Sequence, residues 1–178
     1  MDNNRVCHFM KVSDDVYKDA LEAARPYIKP ESTYDMTAKE ILDKIITPCR
    51  ATTQSAGYDF FSPFPFTLNP GETIMIPSGI RAVIADGWFL AIVPRSGLGF
   101  KYKFTLDNCT GVIDADYADS ANEGHIMLKM TNNGDRKLSV QAGVAVAQGI
   151  LLPFGVAVND DYTEFKTRDG GFGSTDKR

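Results

Sequence analysis

Residues 66–94 read FTLNPGETIMIPSGIRAVIADGWFLAIVP, and short runs rich in Val, Ile, Phe and Leu alternate there with turns. The turns are signalled by Asn69-Pro70-Gly71 and Ala85-Asp86-Gly87, because Gly, Pro, Asn and Asp favour turn conformations. Further turn signals follow at Asn132-Asn133-Gly134-Asp135 and Ala142-Gly143. Regular spacing of this kind is typical of an all-β sandwich or barrel, so we predict that fold class from Thr52 onward.

Toward the N-terminus the pattern changes from strand to helix. After an extended start (Val6 to Val12), Ser13 is predicted to cap a helix that ends at Pro26 and whose apolar face carries Val16, Ala20, Leu21 and Ala24. Thr37 and Glu40 have the spacing of a capping box for a second helix, which is stopped by Pro48 and carries Ile41, Leu42, Ile45 and Ile46. We interpret residues 13–48 as a helical hairpin inserted ahead of the strands.

The composition restricts the class of protein. A chain of 178 residues, 43% hydrophobic and 24% charged, fits one soluble domain spanning residues 1–178. Its net charge of -4 argues against a nucleic-acid partner, because such a surface needs clustered Lys and Arg. The three cysteines lack the spacing of a zinc site, and the sequence pattern indicates neither secretion nor membrane insertion. We therefore predict a cytoplasmic protein with free thiols that binds neither nucleic acid nor membrane.

One glycine-containing segment offers donors for an anion. In Pro94-Arg95-Ser96-Gly97-Leu98-Gly99-Phe100-Lys101 the glycines let backbone N–H groups approach oxygens, and Arg95 and Ser96 add further donors. The alternative is an ordinary strand followed by a turn, since short glycine-containing loops are common.

A second segment, Gly111-Val112-Ile113-Asp114-Ala115-Asp116-Tyr117, places an acidic residue directly after an apolar pair expected in a strand. A carboxylate at Asp114 could orient and deprotonate a water, as a general base must. Two alternatives stay open. Asp114 could bond its own backbone in a surface turn, or Asp114 and Asp116 could point the same way along a strand and bind a metal directly.

The C-terminal segment, residues 166–178, shows no strand or helix pattern, and we predict a mobile tail there. Within it, Gly170-Gly171-Phe172-Gly173-Ser174-Thr175 offers backbone donors, two hydroxyls and one aromatic ring. Such a segment could fold over a nucleotide, with the ring on the base and the donors on phosphate. A flexible linker is the alternative, although a linker has no need of a Phe among its glycines.

Five segments follow one another in a fixed order: Ala56-Gly57-Tyr58-Asp59, Arg95-Ser96-Gly97, Gly111 to Tyr117, Ala147-Gln148 and Gly170 to Thr175. In this combination the chain resembles the trimeric dUTPase family, whose five motifs have the same order. The resemblance covers residues 55–175, so the helical hairpin lies outside the common motifs.

The resemblance implies a jelly-roll-like β subunit of a homotrimer, with each active site built from the motifs of all three subunits. It also implies Mg2+-dependent hydrolysis of dUTP to dUMP and pyrophosphate. Asp114 is implied to be the general base and Asp59 to hold magnesium-bound waters. The positions that line the triphosphate are Arg95, Ser96, Gly97 and Gln148.

The remaining roles implied by the resemblance concern the nucleoside and the tail. Asn108 would bond the uracil edge, the hairpin backbone with Gly111 and Ile113 would complete base recognition, and Tyr117 would pack under the deoxyribose. Phe172 would stack on uracil when the tail closes, while the substrate contacts of the tail are assigned to Arg168, Gly173, Ser174 and Thr175, the last two reaching phosphate.

Three departures from the family pattern are visible. Ala145 stands where the fourth motif usually has an arginine, and Thr167 stands where the tail arginine is usual, with Arg168 one step on as a substitute. Residues 118–124 form a longer and more acidic segment than the usual turn. These departures concern rate and phosphate affinity more than the identity of the substrate.

Two rival functions are considered. dCTP deaminase shares the fold, but it relies on a glutamate where this chain has Lys129. A non-catalytic nucleotide sensor on the same scaffold is the rival of a different class, and the presence of both Asp114 and the glycine-rich tail argues against it. For the helical hairpin, a decoration of the trimer is favoured over a regulatory contact.

Overall fold

The computed structural model of the chain describes residues 5–29, 32 and 36–160. Three α-helices lie within this part: α1 (Asp14–Ala24), α2 (Ala38–Lys44) and α3 (Ser96–Tyr102). Two 3-10 helices are formed by Arg25–Tyr27 and Ala115–Asp119. None of the helices described is long and apolar enough to cross a membrane.

Strands dominate the rest of the described chain. In chain order they are β1 (Cys7–Lys11), β2 (Cys49–Arg50), β3 (Gly57–Phe61), β4 (Phe66–Leu68), β5 (Thr73–Pro77), β6 (Ile80–Ile84), β7 (Trp88–Pro94), β8 (Phe104–Leu106), β9 (Gly111–Ile113), β10 (Met127–Asn132), β11 (Leu138–Val140) and β12 (Ala145–Pro153). The turns at Gly71, Gly87 and Gly143 have positive φ angles, which suit glycine and explain the punctuation of the sequence.

The strands pair antiparallel in four sheets. The largest has the order β2-β3-β12-β7-β9, a second has the order β5-β10-β8, and two further pairs are β1-β6 and β11-β4. Burial alternates along β5 and β10, as expected for strands with one face on a core. The predicted β-rich, sandwich-like fold is confirmed, and the sheets of the described residues do not close into a barrel.

Both N-terminal helices begin where the sequence indicates. The Ser13 side chain accepts a hydrogen bond from the Val16 N–H, and Thr37 and Glu40 form the reciprocal bonds of a capping box. Helix α2 ends at Lys44, so the predicted helix was too long at its C-terminus. Ile45 is extended (ψ 130°) and packs against Gly79, whose added Cβ would overlap the Ile45 side chain.

The helices share the core of the strands. Tyr17 and Leu21 of α1 and Ile41 of α2 lie in one buried cluster with the strand residues Phe60 and Ile76. Tyr17 is fully buried, although the sequence had placed the apolar face through its neighbour Val16. The N-terminal helices therefore form part of the hydrophobic core on which the sheets depend.

Helix α3 corrects the interpretation of residues 94–101 as a loop or a strand and turn. Glycine costs about 1 kcal/mol relative to alanine in a helix interior, so Gly97 and Gly99 conceal this helix in the sequence. The helix ends at Tyr102 and is capped by Lys103, which adopts a left-handed conformation (φ 48°) and donates its N–H to the Gly99 carbonyl at 2.8 Å.

Candidate active site

Strand pairing brings three predicted site residues together. Asp59 on β3 lies opposite Gln148 on β12, and Gln148 lies opposite Val93 on β7. Directly opposite residues of antiparallel strands share a face, so the Asp59 and Gln148 side chains are neighbours. Arg95 follows two residues after Val93, and its Nε atom is 3.2 Å from Asp59 Oδ1. We call Asp59, Arg95 and Gln148 the strand cluster.

The strand cluster holds a shielded carboxylate beside an accessible cation. The Asp59 side chain is 11% exposed, whereas that of Arg95 is 41% exposed. A carboxylate shielded from water needs a compensating charge or hydrogen bonds, and Arg95 supplies the compensating charge here. The more exposed guanidinium remains accessible to an anion arriving from solvent.

Gly57 is a site residue that the sequence analysis did not single out. A Cβ added to Gly57 would overlap the Gln148 side chain, so this side chain lies directly over the glycine backbone. A glycine inside a strand often marks such a close approach, and this was the available signal. The absence of a side chain at Gly57 therefore sets where Gln148 can lie.

Ser96 and Gly97 occupy the first turn of α3, and both are exposed. An added Cβ on Gly97 or Gly99 would meet no atom within 4 Å, so this surface is open. The side of the strand cluster that carries Arg95 thus adjoins an accessible surface at Gly97 and Gly99.

Residues 108–117, here called the hairpin after their predicted role in base recognition, reach the other edge of the five-stranded sheet. The prediction of a β-hairpin is wrong in its pairing, because the flanking strands β8 and β9 belong to different sheets. β9 pairs with β7 through Gly111 opposite Ile92 and Ile113 opposite Leu90. A Cβ on Gly111 would lie 3.3 Å from Ile92 Cβ and 4.0 Å from Asn108 Nδ2, which places Asn108 beside the glycine. Asn108 is exposed, so its amide is open to a ligand.

Asp114 and Asp116 do not lie on a strand. β9 ends at Ile113, Asp114 precedes the 3-10 helix, and Asp116 lies within it. The hypothesis that both carboxylates point the same way along a strand is therefore wrong. Across the described residues no group of three or more His, Cys, Asp or Glu side chains could hold a metal ion.

Tyr117 is buried and its hydroxyl lies in a hydrogen-bond network. The hydroxyl donates to the His125 carbonyl at 3.0 Å and accepts from Asn122 Nδ2 at 2.9 Å. Ser120 Oγ donates to the Tyr117 carbonyl at 2.7 Å. Residues 118–125, here called the 118–125 loop, therefore determine the position of the Tyr117 ring.

His125 is a buried titratable group behind Tyr117. It is 1% exposed, and burial lowers its pKa from 6.5 to about 4, against a smaller opposing effect of Glu123. Its Nε2 atom accepts the Gly79 N–H at 2.8 Å, which requires the neutral ring. A neutral, buried histidine therefore supports the 118–125 loop.

Within one chain, Asp59 and Asp114 lie far apart. From β3 through β12 and β7 to β9 is three strand spacings, and Asp114 follows the Ile113–Leu90 pair whereas Asp59 is level with Val93. With about 4.8 Å between strands and about 3.3 Å per residue, the two Cα atoms are roughly 19 Å apart. The chain assembles the strand cluster, but it does not bring Asp114 to that cluster.

Two further expectations concern the usual arginine position of the fourth motif and the tail. Ala145 is buried on β12, so no cation stands at the position where the motif usually has an arginine. The tail positions Arg168, Phe172, Gly173, Ser174 and Thr175 lie outside the described residues.

Comparison with known proteins shows the family of the chain. The sequence pattern of the dUTPase family matches residues 43–176. The chain belongs to the dUTPase family. Helix α1 and most of α2 precede the matched region, which begins at residue 43.

Individual dUTPases are similar over most of their length. Deoxyuridine 5'-triphosphate nucleotidohydrolase of Lactococcus lactis is 40% identical over 129 residues, which are 72% of this chain and 86% of the relative. The enzyme of the same name from Hahella chejuensis is 36% identical over 143 residues, covering 77% and 91% of the two chains. The crystal structure of dUTPase from Streptococcus mutans superposes with a TM-score of 0.58 at 33% identity, covering 71% of this chain and 95% of that one.

Proposed function

We propose that the chain is a dUTP diphosphatase, which hydrolyses dUTP to dUMP and pyrophosphate in a homotrimer with shared active sites. The observation that carries the proposal is the strand cluster, which combines a shielded carboxylate, an accessible guanidinium and an amide at the positions of three family motifs. Arg95, Ser96, Gly97 and Gln148 would bind the triphosphate. The overall negative charge makes such local donors necessary, because the charge of the whole chain repels an anion.

The donor set fits a magnesium ion that is held mainly by the substrate. Mg2+ keeps several waters and is commonly bound by one or two carboxylates together with substrate phosphates. Asp59 is one carboxylate at the edge of an open surface, and the described residues offer no cage of three ligands. Asp59 would hold the magnesium-bound waters, and the bound metal would neutralise charge on the leaving pyrophosphate.

Asp114 would act as the general base. It would take one proton from a water, whose oxygen forms a bond to the α-phosphorus while the bond from this phosphorus to the α,β-bridging oxygen breaks. The electron pair of the broken bond leaves with pyrophosphate. Asp114 lies between β9 and the 3-10 helix, so regular backbone structure flanks it on both sides. Its carbonyl accepts the Tyr117 N–H at 3.2 Å.

The hairpin would select the nucleoside. Asn108 and the backbone of Gly111 and Ile113 would bind the uracil edge, and a pocket closed by backbone leaves no space for the thymine methyl group. The ring of Tyr117, held by its hydroxyl, would pack against the deoxyribose and exclude a 2'-hydroxyl. Phe172 would stack on the base, and the other tail contacts would come from Arg168, Gly173, Ser174 and Thr175.

The separation within one chain supports the sharing of sites between subunits. Asp59 and Asp114 would both act near one triphosphate, yet they are roughly 19 Å apart in a single subunit by strand spacing. A second copy that contributes its Asp114 to the strand cluster would remove this mismatch. The exposed Val112 on the edge strand β9 is an apolar residue that such a contact could bury.

A pyrophosphate-release assay with dUTP, dTTP, dCTP and UTP tests the activity. We expect rapid release from dUTP alone, dependent on added Mg2+. Equal rates with all four nucleotides, or no release from dUTP by the folded trimer, would contradict the proposal. Ammonia release from dCTP would indicate the deaminase instead, although Lys129 replaces the glutamate expected for it and forms an ion pair with Asp107 at 3.5 Å.

Subunit mixing tests the shared site. Asp59→Ala and Asp114→Asn should each be inactive alone, and co-refolding them in equal amounts should restore activity. Three quarters of randomly mixed cyclic trimers contain both variants, and each of these has one intact site in three, so about a quarter of the wild-type rate is expected. If mixing restores no activity although mixed trimers form, both residues belong to the same subunit's site.

A further inference from the structure

The N-terminal helices contact the loop that positions the proposed catalytic hairpin. Ser13, the cap residue of α1, donates its backbone N–H to Glu123 Oε2 at 2.9 Å. Glu123 belongs to the 118–125 loop and adopts a left-handed backbone (φ 56°), which is costly for a residue with a side chain. The contact with Ser13 therefore helps to hold Glu123 in a conformation that it would otherwise leave.

Glu123 is connected to Tyr117 and Asp114 through short bonds. The Glu123 N–H donates to the Ser120 carbonyl at 2.8 Å, and the Ser120 hydroxyl donates to the Tyr117 carbonyl at 2.7 Å. The Tyr117 N–H in turn donates to the Asp114 carbonyl. A displacement of Glu123 would therefore reach Tyr117 and Asp114 through a few backbone groups.

Helix α1 also contacts the loop through the core. Tyr17 is fully buried, with its ring centroid 6.0 Å from that of His125, and the His125 carbonyl accepts the Tyr117 hydroxyl. Gly79, which donates to His125 Nε2, lies against Tyr17 and Ile45. The same helix thus supports the loop at Glu123 and at His125.

The other flank of the hairpin meets the N-terminal segment as well. Lys129 Nζ lies 5.1 Å from the ring centroid of Tyr27, which ends the first 3-10 helix. Lys129 also lies 3.5 Å from Asp107, the residue before Asn108. Both flanks of the segment from Asn108 to Tyr117 are therefore connected to residues 13–27.

We propose that Glu123 is a positioning residue, through which helix α1 holds the loop behind Tyr117 and Asp114 in the arrangement needed for catalysis. The proposal rests on the proposed function, because the affected step is hydrolysis of dUTP. It assigns to residues 13–48 a role in aligning the catalytic hairpin, in place of the decoration that the sequence favoured.

A matched pair of substitutions at Ser13 isolates the contact. Ser13 has φ -66°, which proline adopts, so Ser13→Pro removes the N–H that Glu123 accepts without forcing the backbone. Ser13→Ala removes the capping hydroxyl, as proline also does, but keeps the N–H. We expect Ser13→Pro to lower kcat about tenfold relative to Ser13→Ala with little change in KM, the scale of a small misplacement of catalytic groups.

A double substitution separates positioning from general stability. Because Ser13→Pro and Glu123→Gln act on the same contact, the double variant should have the kcat of the Ser13→Pro variant and not the product of the two losses. Multiplicative losses, or equal kcat for Ser13→Pro and Ser13→Ala, would overturn the proposal. A merely structural role would lower the melting temperature in both Ser13 variants and leave kcat unchanged.

Hydrogen exchange provides a readout that does not need dUTP. The amides of the 118–125 loop should exchange faster in Ser13→Pro than in Ser13→Ala, while those of β3 and β12 stay equally protected. If the wild-type trimer fails to hydrolyse dUTP while this difference is present, the proposed function is wrong and the support of the loop by α1 stands. If exchange is identical in the two variants, the positioning role of Glu123 is wrong whatever the activity.

Discussion

Asp59 and Gln148 hold their places through strand pairing, whereas Asp114 and Tyr117 hold theirs through a loop tied by side-chain hydrogen bonds. In the strand cluster, Asp59 and Gln148 are positioned by backbone bonds of a five-stranded sheet, and Arg95 directly follows β7 as the N-cap residue of α3. In the hairpin, Tyr117 depends on Ser120, Asn122 and His125. In the proposed function, phosphate binding thus falls to the region fixed by the sheet, and the general base and the deoxyribose contact of Tyr117 fall to the region fixed by side chains.

The difference predicts how each region responds to change. Backbone pairing tolerates most side-chain substitutions, because the ladder bonds do not depend on residue type. A side-chain network loses its geometry when one member is removed, since the remaining buried polar groups are left unpaired. Substitutions behind the hairpin should therefore affect turnover, and only substitutions that block space should disturb the strand cluster.

The largest effect is expected for Asp114→Asn. Removing the proposed general base should lower kcat by about 10² to 10⁴. Binding of a non-hydrolysable dUTP analogue should stay within tenfold, because the strand cluster is unchanged. Single-turnover kinetics and calorimetric titration measure the two quantities separately. A turnover close to that of the wild type would exclude Asp114 as the base and direct attention to Asp116 and Asp59.

The next effect concerns pH and the 118–125 loop. Burial lowers the pKa of His125 to about 4 from its ordinary 6.5, so the unfolded chain binds a proton more readily than the folded one between these values. Stability should therefore be fully present above pH 6.5 and fall as the pH drops toward 4, by up to about 3 kcal/mol at about 1.4 kcal/mol per pH unit. Urea denaturation at pH 7 and pH 5, at one protein concentration, measures this loss.

The matched control for this titration is His125→Gln, whose side-chain oxygen can still accept the Gly79 N–H without titrating. Its stability should be lower at pH 7, since packing against Tyr17 is lost, but should vary less between pH 7 and pH 5. An equally steep pH dependence in the variant would assign the titration to other groups, such as Glu123.

Much of the fold followed from local sequence signals. Alternating apolar residues and glycine turns predicted the strands, and Ser13, Thr37 and Glu40 predicted the helix starts through caps that act within three residues. Helix α3 was not predicted because Gly97 and Gly99 oppose helix formation locally, and tertiary context determines that segment.

Some contacts of the candidate site could likewise be predicted from the sequence, and others could not. Asp59 and Gln148 were identified through the family motifs, and the sheet register places them side by side. The bond between Ser13 and Glu123 joins residues 110 positions apart, and no local pattern announces it. The separation of Asp59 from Asp114 also depends on strand order, which the sequence alone did not provide.

A smaller effect is expected for Gly57→Ala in the strand cluster. The added Cβ would overlap the Gln148 side chain, which must then leave its place beside Asp59. We expect kcat/KM for dUTP to fall about tenfold, because the displaced amide would lose its proposed contact with phosphate. Gly155→Ala is the matched control, since its Cβ would meet no atom within 4 Å. Equal activity of the two variants would show that Gln148 does not need its observed position.

The smallest effect is expected for Tyr17→Phe, which removes the buried hydroxyl and keeps the ring that packs beside the 118–125 loop. The Tyr17 hydroxyl is buried and has no hydrogen-bond partner among the described residues, while its ring packs beside His125 and Gly79. Removing an unpaired buried hydroxyl should leave the free energy of unfolding unchanged or raise it by up to about 1 kcal/mol, because the desolvation cost disappears.

Tyr17→Ala, which removes the ring as well, should lower the free energy of unfolding by about 3 to 5 kcal/mol. Denaturant unfolding of both variants separates the contribution of the hydroxyl to stability from that of the ring. Turnover should fall in Tyr17→Ala but not in Tyr17→Phe, since the ring supports the loop behind Tyr117. A destabilisation of more than about 1 kcal/mol by Tyr17→Phe would mean that the hydroxyl has a partner, and the 118–125 loop would then be tied to α1 by a polar contact as well as by packing.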